Sequence, residues 1–298
     1  MEKLEGIYPI LATPFTSTGE VDYKSFKKLV KYLANSEVHG VTMFGIASEF
    51  HKLSDCEKDK MVEIAIKCLE SKKTLIISIT DQSWEVAIKR AKRVEAVGGK
   101  ALMVFPPYFL SPSKKEIENH ILKVAKAVQI PIIVQYAPNQ SGMVLEPDFF
   151  ANLNEMASNI QYVKVECVPP GPMITEISKK TDKISSLVGY AGLQMIDALD
   201  RGAAGVQPGC SFVEAYINIY NLYQSGEREK AVSSHQKLLP LLNLLMQNVE
   251  LIIQAEKEIL YRRGIISSPY CRSPKYIFDH EQRKQLDQYL EPLKEIFK

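Results

Sequence analysis

Lys164 lies inside an apolar run, Tyr-Val-Lys-Val-Glu at residues 162–166. Side chains alternate along a strand, so Tyr162, Lys164 and Glu166 share one face while Val163 and Val165 share the other. The valines suit a face covered by helices, which turns Lys164 toward the interior. A lysine is seldom fully buried without a reason. Desolvation of an amine favours its neutral form, which attacks a carbonyl carbon to give an imine. The same position also permits a structural pairing of Lys164 with Glu166 or another acid. Tyr108 and Tyr136 each end an apolar run, where a phenol can relay protons or hydrogen-bond a carbinolamine. Each also reads as a plain aromatic lid. Gly45, Ile46, Ala47 and Ser48 offer a glycine, small residues and successive backbone N–H groups, a nest able to hold a carboxylate. Glu49, next in line, either shapes that loop or acts on the ligand.

Other chemistries find less support. The five histidines form no HxH or HxxxH pair, and no two of the five cysteines are spaced CxxC. No metal site is therefore expected. Gly189, Gly192 and Gly209 would suit a phosphate, but no Lys or Arg stands beside them. Cys167 and Cys210 lack a nearby histidine and read as inert thiols. A formal net charge of +2 gives no electrostatic case for nucleic acid or an anionic membrane. No apolar run reaches the roughly 18 residues of a membrane span. The opening MEKLEGIYPI has no apolar stretch of a secretion signal. With unpaired cysteines, this places the expected location in the cytoplasm.

The elements that must position these residues alternate in type. Short apolar runs fall at 7–15, 38–45, 74–79, 101–105, 131–136, 160–166, 184–189 and 203–207. Stretches with helical spacing follow them at 23–35, 55–70, 83–97, 114–128, 147–156, 172–180, 191–200 and 211–224. Eight βα units of about 25–30 residues predict parallel strands joined by right-handed crossovers. The expected fold is a (β/α)8 TIM barrel over 1–225, with C-terminal helices over 226–298 packed on it. Those helices are predicted at 227–247, 249–263 and 279–297. The rival, an open doubly wound sheet, usually shows a glycine-rich first turn, and none follows the first run. Barrel enzymes place their chemistry at the C-terminal strand ends. That adds Glu166 and Gln207, at the ends of the sixth and eighth runs, to the residues expected to meet a ligand, and Gln135, which with water handles or orients the proton if Tyr136 does not.

These residues together resemble the N-acetylneuraminate lyase / dihydrodipicolinate synthase superfamily of class I, pyruvate-dependent aldolases. The resemblance spans essentially the whole chain. It rests on ATPF at 12–15, the GxxxE loop at 45–49, the Pro-Tyr end of the fourth run at 106–108, the Pro-to-Gly segment at 138–142 and Lys164 in the sixth run. It implies that Lys164 forms a Schiff base with pyruvate or a similar acid and that backbone amides of 45–48 hold the carboxylate. It also implies a strand-five tyrosine that moves the proton, no cofactor, and a homo-oligomer, tetramer or dimer. Three departures stand out. The usual loop G-T/S-T-G-E has Ile46 and Ala47 in its hydroxyl positions. The usual Y-N-x-P reads Gln135-Tyr136-Ala137-Pro138, so alignment on the proline puts Gln135 in the tyrosine's place, whereas counting back from Lys164 puts Tyr136 there. The arginine that dihydrodipicolinate synthases carry after that proline is Gln140, and a bidentate carboxylate partner is lost with it.

The expected activity is a Schiff-base lyase, aldolase or dehydratase, acting through Lys164 on pyruvate or a 2-oxo-3-deoxy sugar acid. Dihydrodipicolinate synthase activity is the alternative within the family. A catalytically silent protein that binds 2-oxo acids is the alternative outside it.

Overall fold

The computed structural model describes residues 3–70 and 72–294. Its strands are β1 (Gly6–Ile7), β2 (Gly40–Met43), β3 (Thr74–Ser78), β4 (Ala101–Val104), β5 (Ile132–Tyr136), β6 (Ile160–Val165), β7 (Ser185–Val188) and β8 (Gly205–Val206). Between them run α1 (Tyr23–Ala34), α2 (Asp55–Leu69), α3 (Trp84–Ala96), α4 (Lys114–Ala125), a single turn α5 (Pro138–Ser141), α6 (Pro147–Met156), α7 (Pro170–Lys180) and α8 (Met195–Asp200). After β8 come α9 (Val213–Gln224), α10 (Arg228–Leu245), α11 (Val249–Arg262) and α12 (His280–Leu290). The strands form one sheet in the order β1-β8-β7-β6-β5-β4-β3-β2, the order of a (β/α)8 barrel. The alternation legible in the sequence is thus the fold, with the C-terminal helices present.

The chain divides into two compact units. Unit 1 holds residues 3–5, Thr74–Gly189 and Asp197–Val206. Unit 2 holds Gly6–Lys73, Tyr190–Ile196 and the chain from Gln207 onward.

In unit 1, β3 to β8 pair in parallel, each with its neighbour in sequence. Their residues are almost all buried, as a sheet covered on both faces requires. Proline opens α6 and α7 at the first turn, where its missing N–H costs nothing. In unit 2, local sequence sets the helix starts. Asp22 accepts from Ser25 N–H at α1, and Ser54 and Glu57 form a reciprocal capping box at α2. Asp279 and Gln282 repeat that box at α12.

Two expectations differ from the structure in extent. The first run, 7–15, expected as a strand and the turn after it, is a regular strand only over Gly6–Ile7, with isolated bridges at Ile10 and Phe15. Pro9 and Pro14 lack the N–H a continuous ladder needs. The last helix, expected over 279–297, stops at Leu290 and tightens into a 3-10 turn, Glu291–Leu293, around Pro292. Residues 295–297 of that expectation lie outside the described residues.

Candidate active site

β6 carries Lys164 one residue before its C-terminal end, with only 3% of the side chain exposed. Its Nζ lies 3.2 Å from Glu166 Oε1. The other oxygen of that carboxylate, Oε2, accepts a hydrogen bond from Gln135 Nε2 at 2.6 Å. The Glu166 main chain is fixed too, since its N–H donates to Tyr136 O at 2.8 Å. Gly189, just past β7, makes room for the carboxylate. A Cβ there would stand 2.2 Å from Glu166 Oε1 and 2.4 Å from its Cγ, so the carboxylate lies across bare main chain. The result is a part-buried chain of contacts, amine to carboxylate to amide, at the C-terminal ends of β5, β6 and β7.

The register of β5 on β6 decides which strand-five residue joins this chain. Ile132 pairs with Ile160, but Ile133 pairs with Tyr162, so Gln161 is an extra residue in β6. Beyond that bulge Gln135 stands opposite Lys164 and Tyr136 opposite Val165. An unbroken count from Ile132 would have set Tyr136 against Lys164. Tyr136 instead packs on the far face, where its ring lies 5.5 Å from Phe150 of α6 in an edge-on arrangement. Burial pushes its phenol pKa up, and the Leu145 N–H that donates to the phenol oxygen works against that rise. Of the two strand-five candidates, the register sets Gln135, and not Tyr136, opposite Lys164. Tyr108 is half-buried, its ring 5.2 Å from Phe105, and its N–H donates to Gln82 Oε1 at 2.9 Å.

Unit 2 contains the loop 45–49. Gly45 is required there because a Cβ would stand 2.9 Å from Ile10 Cγ2. Ile46, Ala47 and Ser48 form a 3-10 turn, in which Ser48 N–H donates to Gly45 O at 2.9 Å. The Ser48 hydroxyl donates to Leu11 O at 2.6 Å, and Ser48 O accepts from the Thr13 hydroxyl at 2.6 Å. Ser48 is thus committed to main chain. The N–H groups of Ile46 and Ala47, at the start of the turn, have no acceptor within it. Gln207 is buried, with Nε2 donating to the Thr42 hydroxyl at 3.0 Å and Oε1 left without a partner.

Glu49 adopts the left-handed conformation, φ 55° and ψ 34°, and its side chain is fully buried. It is ion-paired to Lys257 of α11, itself fully buried, and to Lys52 at 3.2 Å. The N–H of Arg272 adds a hydrogen bond at 3.2 Å. Burial pulls the Lys257 pKa down, opposed by the Glu49 charge. Lys257 Nζ also stands 4.2 Å from the centre of the Phe15 ring, and the Arg272 guanidinium 4.5 Å from it. Glu49 therefore shapes the loop, and the ATPF and GxxxE segments are two ends of one buried network. Sequence reasoning missed Lys257. Its signal was available, because Ile253, Lys257 and Leu260 fall at i, i+4 and i+7 on the buried face of α11.

Among the described residues no three His, Cys, Asp or Glu side chains could hold a metal ion, and no helix is long and apolar enough to cross a membrane. The five cysteines are unpaired.

The fold is thus a (β/α)8 barrel with a buried lysine at the C-terminal end of β6. The barrel superposes on the dihydrodipicolinate synthase of Rhodopseudomonas palustris with a TM-score of 0.89, at 24% identity, over 96% of this chain and 97% of that one. The chain belongs to the dihydrodipicolinate synthetase family, which it matches over residues 3–293, and whose members are class I aldolases and lyases. Two relatives are named for different reactions. The 4-hydroxy-tetrahydrodipicolinate synthase of Methanopyrus kandleri is 30% identical over 271 residues, 90% of this chain and 89% of that protein. The L-2-keto-3-deoxyarabonate dehydratase of Azospirillum brasilense is 27% identical over 275 residues, 90% and 88%.

Proposed function

We propose that the protein forms an imine between Lys164 and the ketone of a 2-oxo acid, and uses it as an electron sink to cleave, condense or dehydrate that acid. The observation that carries this reading is the buried Lys164 Nζ, 3.2 Å from a carboxylate at the C-terminal end of β6. An iminium draws electrons from the adjacent carbon, which is the step that C–C cleavage and β-elimination of a hydroxyl share. The N–H groups of Ile46 and Ala47 are the groups we assign to the carboxylate of the acid. Gln135 takes the orienting role, since its amide is tied to Glu166. Gln140 supports a dehydratase or lyase over the synthase reaction, because no guanidinium stands there to take a second carboxylate. A relative named for dehydration of a 2-keto-3-deoxy sugar acid is consistent with that preference. We therefore assign a 2-oxo-3-deoxy sugar acid as substrate, with pyruvate or another short 2-oxo acid as the unit bound to Lys164.

The test is reductive trapping. The protein is mixed with pyruvate, reduced with borohydride and weighed intact beside Lys164→Ala. The expected result is a single adduct on the wild type and none on the variant. No adduct with pyruvate or with several longer 2-oxo acids would overturn the reading. An adduct without turnover of any 2-oxo acid would instead identify a binding protein.

A further inference from the structure

We propose that Glu166 is the general acid–base catalyst of the Lys164 reaction. The proposal rests on the imine reading above and adds the group that moves its protons. Three observations lead to it. Gln135 occupies the position opposite Lys164, and a carboxamide neither takes nor gives a proton near neutral pH. Tyr136, the phenol one residue on, faces α6. Glu166 places a carboxylate oxygen 3.2 Å from the reacting nitrogen, within reach for direct proton transfer. The two oxygens of this carboxylate are differentiated. Oε2 is anchored by the Gln135 amide, which leaves Oε1 turned to Nζ. Bare main chain at Gly189 seats the group.

The protons balance through one carboxylate. Glu166 takes a proton from the Lys164 ammonium, and the freed amine attacks the ketone carbon. The N–C bond forms as the carbonyl π bond breaks, and Glu166 returns the proton to the oxygen. It next removes a second proton from the nitrogen of this carbinolamine and delivers it to the departing hydroxyl. The C–O bond breaks, water leaves, and the nitrogen lone pair closes the iminium. Glu166 ends ionised, as it began, and each ammonium with one ketone has given one iminium and one water.

A carboxylate that only paired the ammonium would predict the opposite effect of its loss. Such a partner holds the amine in its unreactive form, so its removal would leave imine formation as fast or faster. The experiment is timed borohydride trapping of pyruvate on the full-length wild type, Glu166→Gln and Glu166→Ala, with thermal midpoints recorded on the same samples. Expected are a drop of about 100-fold or more in trapping rate for both variants, and recovery of the Glu166→Ala rate on adding formate, which fits the vacated space. Glu166→Gln trapping at the wild-type rate or faster overturns the proposal. So does a slowed Glu166→Ala that keeps its thermal midpoint yet gains nothing from formate. A wild type that traps nothing overturns the imine reading itself, and with it this role. That outcome is distinct from a wild type that traps beside variants of unchanged rate.

Discussion

Replacing Lys257 by methionine removes one charge from the buried network of unit 2 and keeps most of the side-chain volume. Glu49 would stay fully buried with Lys52 at 3.2 Å and the Arg272 N–H at 3.2 Å as its remaining partners. Breaking a buried ion pair from one side costs roughly 3–5 kcal/mol, because the other charge is stranded. The two surviving partners hold the expected cost near the lower figure, about 3 kcal/mol. Unfolding entropy runs to about 2.1 cal/mol/K per residue, or ~0.6 kcal/mol/K over the whole chain, so the thermal midpoint should fall by about 5 °C. Calorimetry on Lys257→Met, Glu49→Gln and the double variant measures this. Removing both charges together should cost less than the sum of the single losses, with a coupling of about 1–3 kcal/mol. The loop should respond as well, since Glu49 is the left-handed residue that ends the Ile46–Ser48 turn. Half-saturation of pyruvate trapping should move to higher concentration, with little change in the rate at saturation. A midpoint shift under about 1 °C, or strict additivity in the cycle, would refute the reasoning.

Burial pushes the Glu256 carboxyl up to about 7, against its ordinary 4.5, although Cys210 and Ser211 N–H groups donate to it and oppose the rise. The native state therefore keeps a proton that the unfolded chain has lost, and stability falls as pH rises from about 4.5 through about 7, by about 3 kcal/mol in all. Glu256→Gln should flatten that slope in midpoint-against-pH curves and overtake the wild type above pH 7, and parallel curves would count against it. Gly189→Ala puts a methyl 2.2 Å from Glu166 Oε1, so trapping should slow toward the Glu166→Gln rate while the chain stays folded; an unchanged rate would mean that the seat does not hold the carboxylate. Tyr136→Phe should cost about 1 kcal/mol of stability through its lost hydrogen bond and leave trapping within about twofold, and a 100-fold drop would contradict the β5–β6 register.

The alternation of apolar runs and helical spacing made the barrel legible, because each strand in unit 1 is buried on both faces and each helix shows one apolar stripe. Lys164 was legible for the same reason, a charge inside an apolar run. The choice between Gln135 and Tyr136 was not. It turns on Gln161, an intermediate-burial residue that is the extra one in β6, and nothing in a one-residue bulge alters the hydrophobic pattern of either strand. Ser48 illustrates a second limit. A serine in a nest-like loop suggests a ligand contact, yet its hydroxyl is spent on Leu11 O, a residue 37 positions away. Only the folded chain brings those two together.

Glu166 and Glu256 show how one arrangement serves two ends. Each carboxylate lies across a glycine just past a strand, Gly189 and Gly209, where a Cβ would stand 2.2 Å from an oxygen. At Gly209 the main-chain N–H groups of Cys210 and Ser211 both donate to one oxygen. Burial, opposed by the Ser211 hydroxyl and those N–H groups, favours a proton on the acid, and the group works as a clasp between α11 and the turn after β8. At Gly189 the donors are a side-chain amide on one oxygen and an amine on the other. An amide N–H cannot leave its nitrogen at neutral pH, but an ammonium proton can. The difference between a structural clasp and a proton-transfer site lies in Lys164 as partner.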